Sequence, residues 1–180
     1  MPLTLTTPRT VLRPWSDDDL EPFAALNADP RVMTYFPAVL SREQSLAFVT
    51  RVRAHFDEKG WGPWALEIGG HFAGFVGLWS PSFTAHFTPC VEVGWRLATS
   101  FWGQGYATEA ARAAVRCGFE QLGLREIVSF TVPSNRPSRA VMQRLGMKYD
   151  PADDFDHPRI AKGHPLERHV LYRLAAPTNS

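Results

Sequence analysis

The sequence is poor in cysteine, in net charge and in long apolar runs. Its two cysteines, Cys90 and Cys117, lie in strand-like and helix-like sequence respectively, so we expect buried, reduced thiols and no disulfide bond. Its 19 basic and 18 acidic residues nearly balance, which argues against nucleic acid or an anionic membrane as the main partner. The first residues lack the basic-then-apolar pattern of a signal peptide, and no apolar run approaches a membrane span. A cytoplasmic protein is therefore expected.

The apolar pattern predicts one mixed α/β domain over residues 1–180. With 180 residues and 44% hydrophobic content the chain can bury a substantial core, and no repeat or low-complexity linker interrupts it. The predicted elements are a strand at 9–15, a helix from Ser16 to about Asn27, a helix from Ser41 to about Phe56, two strands within 64–80 around Gly69-Gly70, a strand at 90–97, a helix ended by Gly123, a strand at 126–132, a helix at 134–147 and a strand at 167–174. This order predicts a mixed sheet and not a repeating βαβ barrel.

The segment SFWGQGYATEA, residues 100–110, places Gly103 and Gly105 on either side of a glutamine, just before alanine-rich helical sequence. The first N–H groups of a helix have no partner within it, and the helix dipole adds partial positive charge there. Glycines let an anion approach the backbone, so the segment suits a phosphate or a pyrophosphate. A plain tight turn would use the same two residues.

Two other phosphate-binding motifs fit this segment poorly. A P-loop ends in Gly-Lys-Ser or Gly-Lys-Thr, which the chain lacks. A dinucleotide fingerprint needs a third glycine, and this chain has Thr108 at that position. The fingerprint also has an acidic residue at the end of the next strand, whereas Glu126 lies at the start of that strand. A nucleotide-binding protein stays an alternative.

Two motifs carry a family resemblance: VGWRLATSFWGQGYATEAARAAVRCGFEQLGL at 93–124 and SNRPSRAVMQRLGM at 134–147. They resemble the GNAT superfamily of acetyl-CoA-dependent N-acetyltransferases, and within it the RimJ/RimL branch, which acetylates protein N-terminal amines. The resemblance implies an α/β (α+β) fold with a central twisted, mixed, mostly antiparallel sheet flanked by helices. Its fourth and fifth strands are splayed to admit acetyl-CoA. It also implies direct attack of the acceptor amine in a ternary complex.

The resemblance further implies which residues bind acetyl-CoA. The family's phosphate motif aligns with 102–107. Trp102 stands where the motif has glutamine or arginine, and Gln104 stands where the branch often has lysine. Phosphate binding should therefore rest more on backbone amides than on charge. The implied pyrophosphate cradle is Gly103, Gln104, Gly105, Tyr106, Ala107 and Thr108. The main chain of Trp95, Arg96 and Leu97 would pair with the pantetheine arm, as an added strand does. Asn135 and Ser138, which also suit a helix cap, would contact the pantetheine amides and the sulfur end.

Amide formation needs a neutral amine, a stabiliser for the oxyanion and a proton for the departing thiolate. The resemblance places Glu92 near the acetyl group as the base; Glu109 is the weaker candidate, and the amine could instead lose its proton to solvent. Many family members have an acidic tyrosine where this chain has Met142, so Ser138 is the replacement acid. A main-chain N–H near Arg96 would hold the oxyanion.

The acceptor is expected to lie between the two early helices and the aromatic loops at 34–37, 60–64 and 82–87. No acidic cluster indicates a polycationic acceptor, so a peptide N-terminus or a small amine is expected, bound by a monomer or homodimer. A catalytically weak acyl-CoA-binding module is a further alternative, because Met142 cannot donate a proton. No metal is expected, since the histidines lack metal-ligand spacing: His86, His157, His164 and His169.

Overall fold

A computed structural model describes residues 3–177 of the chain. The helices are α1 (Leu20–Ala28), α2 (Arg42–Lys59), α3 (Tyr106–Glu120) and α4 (Arg136–Arg144). The strands are β1 (Leu5–Thr6), β2 (Val11–Arg13), β3 (Pro63–Ile68), β4 (His71–Trp79), β5 (Glu92–Leu97), β6 (Glu126–Thr131), β7 (Lys148–Tyr149), β8 (Phe155–Asp156) and β9 (Arg168–Ala175). The sheet order is β1-β2-β3-β4-β5-β6-β9-β7, and β8 also pairs with β9. The predicted mixed, mostly antiparallel sheet with four helices is confirmed.

Most of the predicted boundaries lie close to the observed ones, and the differences have local causes. The strand predicted at 9–15 is shorter, because Pro14 has no N–H to continue the ladder beyond β2. The capping box at Ser41 is present, and α2 runs past Phe56 until Gly60, at φ 78°, provides the left-handed end. The third helix ends at Glu120, before Gly123. The two-residue strands β1, β7 and β8 were not predicted, since two residues show no periodicity.

Helices cover both faces of the sheet. On one face Leu78 and Ile127 contact Gly118 of α3, where an added Cβ would lie 2.7 Å from the Ile127 side chain. On the other face Phe75 of β4 packs against Phe23 of α1, with ring centroids 6.1 Å apart. Most of β4 is therefore buried on both sides, and β5 pairs with it near the middle of the sheet.

The parallel pair β5–β6 opens along its length. Its one register pair joins Glu92 to Val128, and the Ser129 hydroxyl donates to the Val93 carbonyl at 2.9 Å. Beyond Val93 the two strands separate, whereas β5 stays paired with β4 as far as Leu97. The splay was predicted for the fourth and fifth strands of the family fold, which correspond to β5 and β6 here, and it is confirmed. It leaves one edge of β5 free.

The two cysteines are free thiols. Cys117 is buried in α3, as expected. Cys90 was expected to be buried within a strand, but it lies in the segment before β5 and is only partly buried. Its neighbour Pro89 and the long connection from β4 keep this segment outside the ladder.

Candidate functional site

A cleft of about 1500 Å³ opens where β5 and β6 separate. Its walls are the splayed strands, the N-terminal ends of α3 and α4, the connection between α1 and α2, and the segment from His157 to His169. The cleft has two halves. One lies against the start of α3, and the other lies between α2, β4 and the α1–α2 connection.

The glycine segment forms the first half. Gly103 and Gly105 adopt φ of 72° and 82°, and Gly105 is the left-handed residue immediately before α3. Among residues 3–177, none of the N–H groups of residues 103–108 donates to a protein acceptor, and the first bond of the helix runs from Glu109 N to Gly105 O. Six N–H groups next to a helix N-terminus form a site for an anion. Five of the six predicted cradle residues line the cleft; the sixth, Gln104, turns its side chain back to the Ser100 carbonyl.

Arg9, which was not predicted from the sequence, holds this segment in place. Its guanidinium donates to the Gln104 carbonyl at 2.9 Å and to Glu109 at 2.6 Å, and it lies 4.7 Å over the Tyr106 ring. Burial acts to raise the pKa of Glu109, but hydrogen bonds from Thr7 and Arg9 outweigh it and lower that pKa. Glu109 is therefore an anchor of the loop and a poor base.

Three more arginines line the same half and were not predicted: Arg112, Arg116 and Arg144. None of them has an acidic partner within 4.0 Å in the described part of the chain. Arg112 donates to the Arg144 carbonyl at 2.9 Å, which joins α3 to the end of α4. Positive charge thus surrounds the cradle, although no cation stands within the loop itself.

The free edge of β5 lies beside this half. Val91 and Val93 direct their carbonyls toward β6, so strand alternation directs the main-chain groups of Trp95 and Leu97 the same way. The Leu97 carbonyl accepts from the Trp102 indole at 2.8 Å. The Arg96 carbonyl faces Gly74 of β4, and its N–H points to the same side. The N–H that faces the gap near Arg96 is therefore that of Trp95.

Asn135 and Ser138 stand at the start of α4 on the far side of the gap. The Asn135 side chain accepts from the Ser138 N–H at 3.2 Å and donates to Thr131 at 2.9 Å. Asn135 therefore caps the N-terminus of α4, as its sequence position suggests. The Ser138 hydroxyl accepts from the Trp95 indole at 3.3 Å, which leaves its own proton free. Met142 is buried one turn further along α4 and lines the cleft.

Glu92 lies on the floor of the cleft, opposite Trp79 of β4. Its carboxylate extends over Gly94, since an added Cβ there would lie 3.7 Å from Oε1. Within residues 3–177 this carboxylate has no hydrogen-bond partner and no ion pair, and burial raises its pKa to about 8. An unpartnered carboxyl with this pKa can exchange a proton near neutral pH.

The second half of the cleft is aromatic. Phe36, Phe48, Phe75 and Trp79 line it, and Arg96 stands among them. Of the loops expected to bind the acceptor, 34–37 lines the cleft throughout, whereas 60–64 contributes only Pro63 and 82–87 only Phe83. Trp64 is completely buried in the core, where its indole N–H donates to the Leu3 carbonyl.

His157 and His169 lie on the opposite wall with ring centroids 4.9 Å apart, beside a cluster of phenylalanines. Burial, together with the nearby positive charge of His169, lowers the pKa of His157 to about 4. In the described chain no group of three His, Cys, Asp or Glu side chains could hold a metal ion. Nor does any helix between residues 3 and 177 have the length and apolar character needed to cross a bilayer.

Comparison with known proteins gives a family match and curated relatives. Residues 9–148 match the family model described as "Acetyltransferase (GNAT) domain". The FsC-acetyl coenzyme A-N(2)-transacetylase of Aspergillus fumigatus is 35% identical over 153 residues, which cover 81% of this chain and 65% of the fungal protein. This chain thus spans slightly less than two thirds of that relative's length.

Solved structures show the same architecture. An acetyltransferase from Agrobacterium tumefaciens is 31% identical with a TM-score of 0.77, and the match covers 96% of this chain and 94% of that one. Mycobacterium smegmatis RimJ, solved in complex with CoA-disulfide, has a TM-score of 0.78 at 20% identity and covers 97% and 88%. The second likeness is one of fold, and it extends over the whole sheet and its helices.

Proposed function

This chain belongs to the GNAT family of N-acetyltransferases, and from that premise we propose that it transfers the acetyl group of acetyl-CoA to an α-amine. The acceptor we propose is the N-terminal amine of a protein or peptide, which attacks directly in a ternary complex. Acetyl-CoA supplies the acetyl group as a thioester, and the protein supplies position, a base, an oxyanion donor and an acid.

The observation that carries the proposal is the unpartnered carboxyl of Glu92 on the cleft floor. Its pKa of about 8 is close to that of an α-amine, about 7.7–8.0, and far from that of a lysine side chain, about 10.4. Proton transfer between groups of similar pKa costs little free energy, so Glu92 is suited to take the proton of an α-amine.

The residues around the gap fit acetyl-CoA. The free N–H groups of 103–108 suit its pyrophosphate, and Arg112, Arg116 and Arg144 add positive charge around it. The free edge of β5 at Trp95 suits the amides of the pantetheine arm, because an extended chain pairs with an exposed strand edge. Ser138 stands across the gap, where the sulfur end would lie.

The reaction needs three contributions from these residues. Glu92 accepts a proton from the acceptor ammonium, and the neutral nitrogen then forms a bond to the thioester carbonyl carbon. The Trp95 N–H donates to the carbonyl oxygen as negative charge develops on it. The carbon–sulfur bond breaks, the nitrogen releases its second proton to solvent, and the Ser138 hydroxyl, replenished from solvent, gives the thiolate its proton. The products are the N-acetyl amide and free CoA.

A second acceptor class is favoured by one comparison. The fungal relative that is 35% identical is named "FsC-acetyl coenzyme A-N(2)-transacetylase". A small molecule with an α-type amine is therefore the second candidate for this chain. The same base and the same cradle would serve it.

The experiment compares matched acceptors with the purified protein and acetyl-CoA. One peptide has a free N-terminus and no lysine, a second has a blocked N-terminus and one lysine, and a third panel contains small α-amines. CoA release is followed with a thiol reagent, and the product is located by mass spectrometry. We expect acetylation of α-amines and not of the lysine side chain. Acetylation of the lysine peptide alone, or of no amine, would contradict the proposal.

A further inference from the structure

Arg96 is a cation without an acidic partner in the aromatic half of the cleft. Its guanidinium carbon lies 4.4 Å from the centre of the Phe36 ring, 5.4 Å from Phe75 and 5.9 Å from Phe48. Its one hydrogen bond runs from Nη1 to Asn27 Oδ1 at 2.7 Å. The side chain keeps part of its surface in the cleft, but Nε is completely buried and has no partner within residues 3–177.

This arrangement is costly unless something else occupies the cleft. A guanidinium carries five N–H donors, and a buried charge is stabilised mainly by an opposite charge and by satisfied hydrogen bonds. Burial lowers the pKa of Arg96 to about 10, so the group still carries its charge at neutral pH. The aromatic rings compensate part of this cost through their faces. They cannot accept the remaining N–H groups in the way an oxygen does.

The neighbouring arginine shows the contrast. Arg31 also lines this half of the cleft, but it is exposed and pairs with Asp29 at 2.7 Å. Arg96 is the cation there without a carboxylate in the described chain, and it lies under the α1–α2 connection where the acceptor would enter.

Arg96 and Glu92 lie on the same side of β5. Strand alternation places residues 92, 94 and 96 on one face, and the middle residue is Gly94, which has no side chain to separate the other two. The Glu92 carboxylate already extends over that glycine. An acceptor whose amine is at Glu92 can therefore reach Arg96 with another part of the same molecule.

We propose that Arg96 binds a carboxylate of the acceptor, so that the acceptor is an amine that also carries a carboxylate. One unpaired cation calls for one negative charge, which favours a carboxylate over a phosphate dianion. The carboxylate could be that of a small amino acid or an acidic side chain near the N-terminus of a peptide. This inference rests on the proposed function, since it assigns a substrate class to the same site.

The test measures kcat/KM, calculated on the neutral form of the amine, for matched acceptors that differ by one negative charge. One arm compares small amino acids with their carboxamides. The other compares peptides with Glu or Gln at the second position. For the wild type we expect the carboxylate member of at least one arm to be preferred by about tenfold to a hundredfold, the usual worth of a hydrogen bond to a charged group. The arm that shows the preference identifies the source of the carboxylate.

Variants then locate the preference. In Arg96→Met the ratio of the two kcat/KM values should fall close to one, with the loss mainly in KM. In the matched control Arg31→Met the ratio should stay at the wild-type value. Arg96→Gln, which can still bond Asn27, repeats the test if the methionine variant fails to fold, as judged by thermal melting.

The outcomes separate the two proposals. If the wild type acetylates both members of every pair equally well, or if Arg96→Gln and Arg96→Met keep the wild-type ratio, Arg96 has only a packing role and this inference is wrong. The proposed function survives that result. If no α-amine of either kind is acetylated, the proposed function itself fails.

Discussion

Trp95 and Ser138 face one another across the gap beside β5, and the indole Nε1 donates to the serine hydroxyl at 3.3 Å. This contact fixes the hydroxyl from one side, because its oxygen serves as the acceptor. Among the described residues the serine proton has no acceptor of its own. The hydroxyl is therefore oriented to donate into the cleft, which is the property that an acid to the leaving thiolate needs.

Replacing this hydroxyl tests the role of acid. In Ser138→Ala we expect kcat to fall by about tenfold or more, while CoA affinity changes much less, since a proton donor acts mainly in the transition state. Turnover is measured by CoA release and affinity by calorimetric titration. Trp95→Phe removes the indole donor and keeps the hydroxyl, so it should lower kcat less. Intact turnover in Ser138→Ala would leave this residue as a helix cap, with solvent as the proton source.

The glycine loop gives a prediction on binding. Gly105→Val should weaken CoA binding by about tenfold or more, because a branched side chain would block the approach of an anion to several N–H groups. The matched control is Gly123→Val, which imposes the same kind of strain at φ 64° but lies at the end of α3, outside the cleft. Titration with CoA, ATP and NAD should show binding of CoA alone by the wild type. Unchanged CoA affinity in a folded Gly105→Val protein would remove this loop from the site.

The parts of the site that could be predicted are those encoded within a few residues. The two glycines before α3 and the asparagine cap of α4 are local signals, since a positive φ or a capping side chain is a property of one turn. The capping box of Ser41 with Gln44 is of the same kind. Turns and helix caps of this kind depend on neighbouring residues alone, so the folded structure keeps them as the sequence predicts.

The missing parts depend on residues that are distant in the chain. Arg9 and Gln104 are 95 positions apart in the chain, so the sequence near either residue does not predict their contact. The surroundings of Arg96 come from α1, α2, β4 and the α1–α2 connection, and no periodicity of β5 reveals that a cation there lacks a partner. Such sites appear only once the sheet order is known.

A second glycine gives a prediction on stability. Gly74 has φ of 139°, and a Cβ there would lie 2.0 Å from the Arg96 carbonyl oxygen. Gly74→Ala should lower the free energy of unfolding by about 3 kcal/mol or more, because both the backbone conformation and the contact with β5 oppose it. The control Gly146→Ala has φ of 82° with open space around it, so it should cost only about 1–2 kcal/mol. Denaturant melts measure both, and equal losses would contradict the steric argument.

Glu92 predicts a pH dependence of stability. Burial raises its pKa from 4.5 to about 8. The folded protein therefore holds this proton up to about pH 8, while the unfolded chain releases it near pH 4.5. Because the folded state binds more protons in that window, this group lowers the free energy of unfolding as pH rises from 4.5 to 8. Glu92→Gln should remove that loss. Its melting temperature relative to the wild type should rise through the window and level off above pH 8.

The same substitution tests the base. Glu92→Gln keeps the shape of the side chain and removes its basicity, so turnover near pH 7 should fall by about ten- to a thousandfold, within or slightly below the usual range for general base catalysis. In the wild type kcat/KM should rise through about pH 8, as the carboxyl with that pKa ionises. In the variant the loss should shrink as pH rises, because more of the amine is already neutral. The pH dependence of the melting temperature is the control, because it shows whether the carboxyl of Glu92 is the group that titrates. A variant impaired equally at every pH would indicate that Glu92 positions the acceptor, and an unimpaired one would indicate that solvent takes the proton.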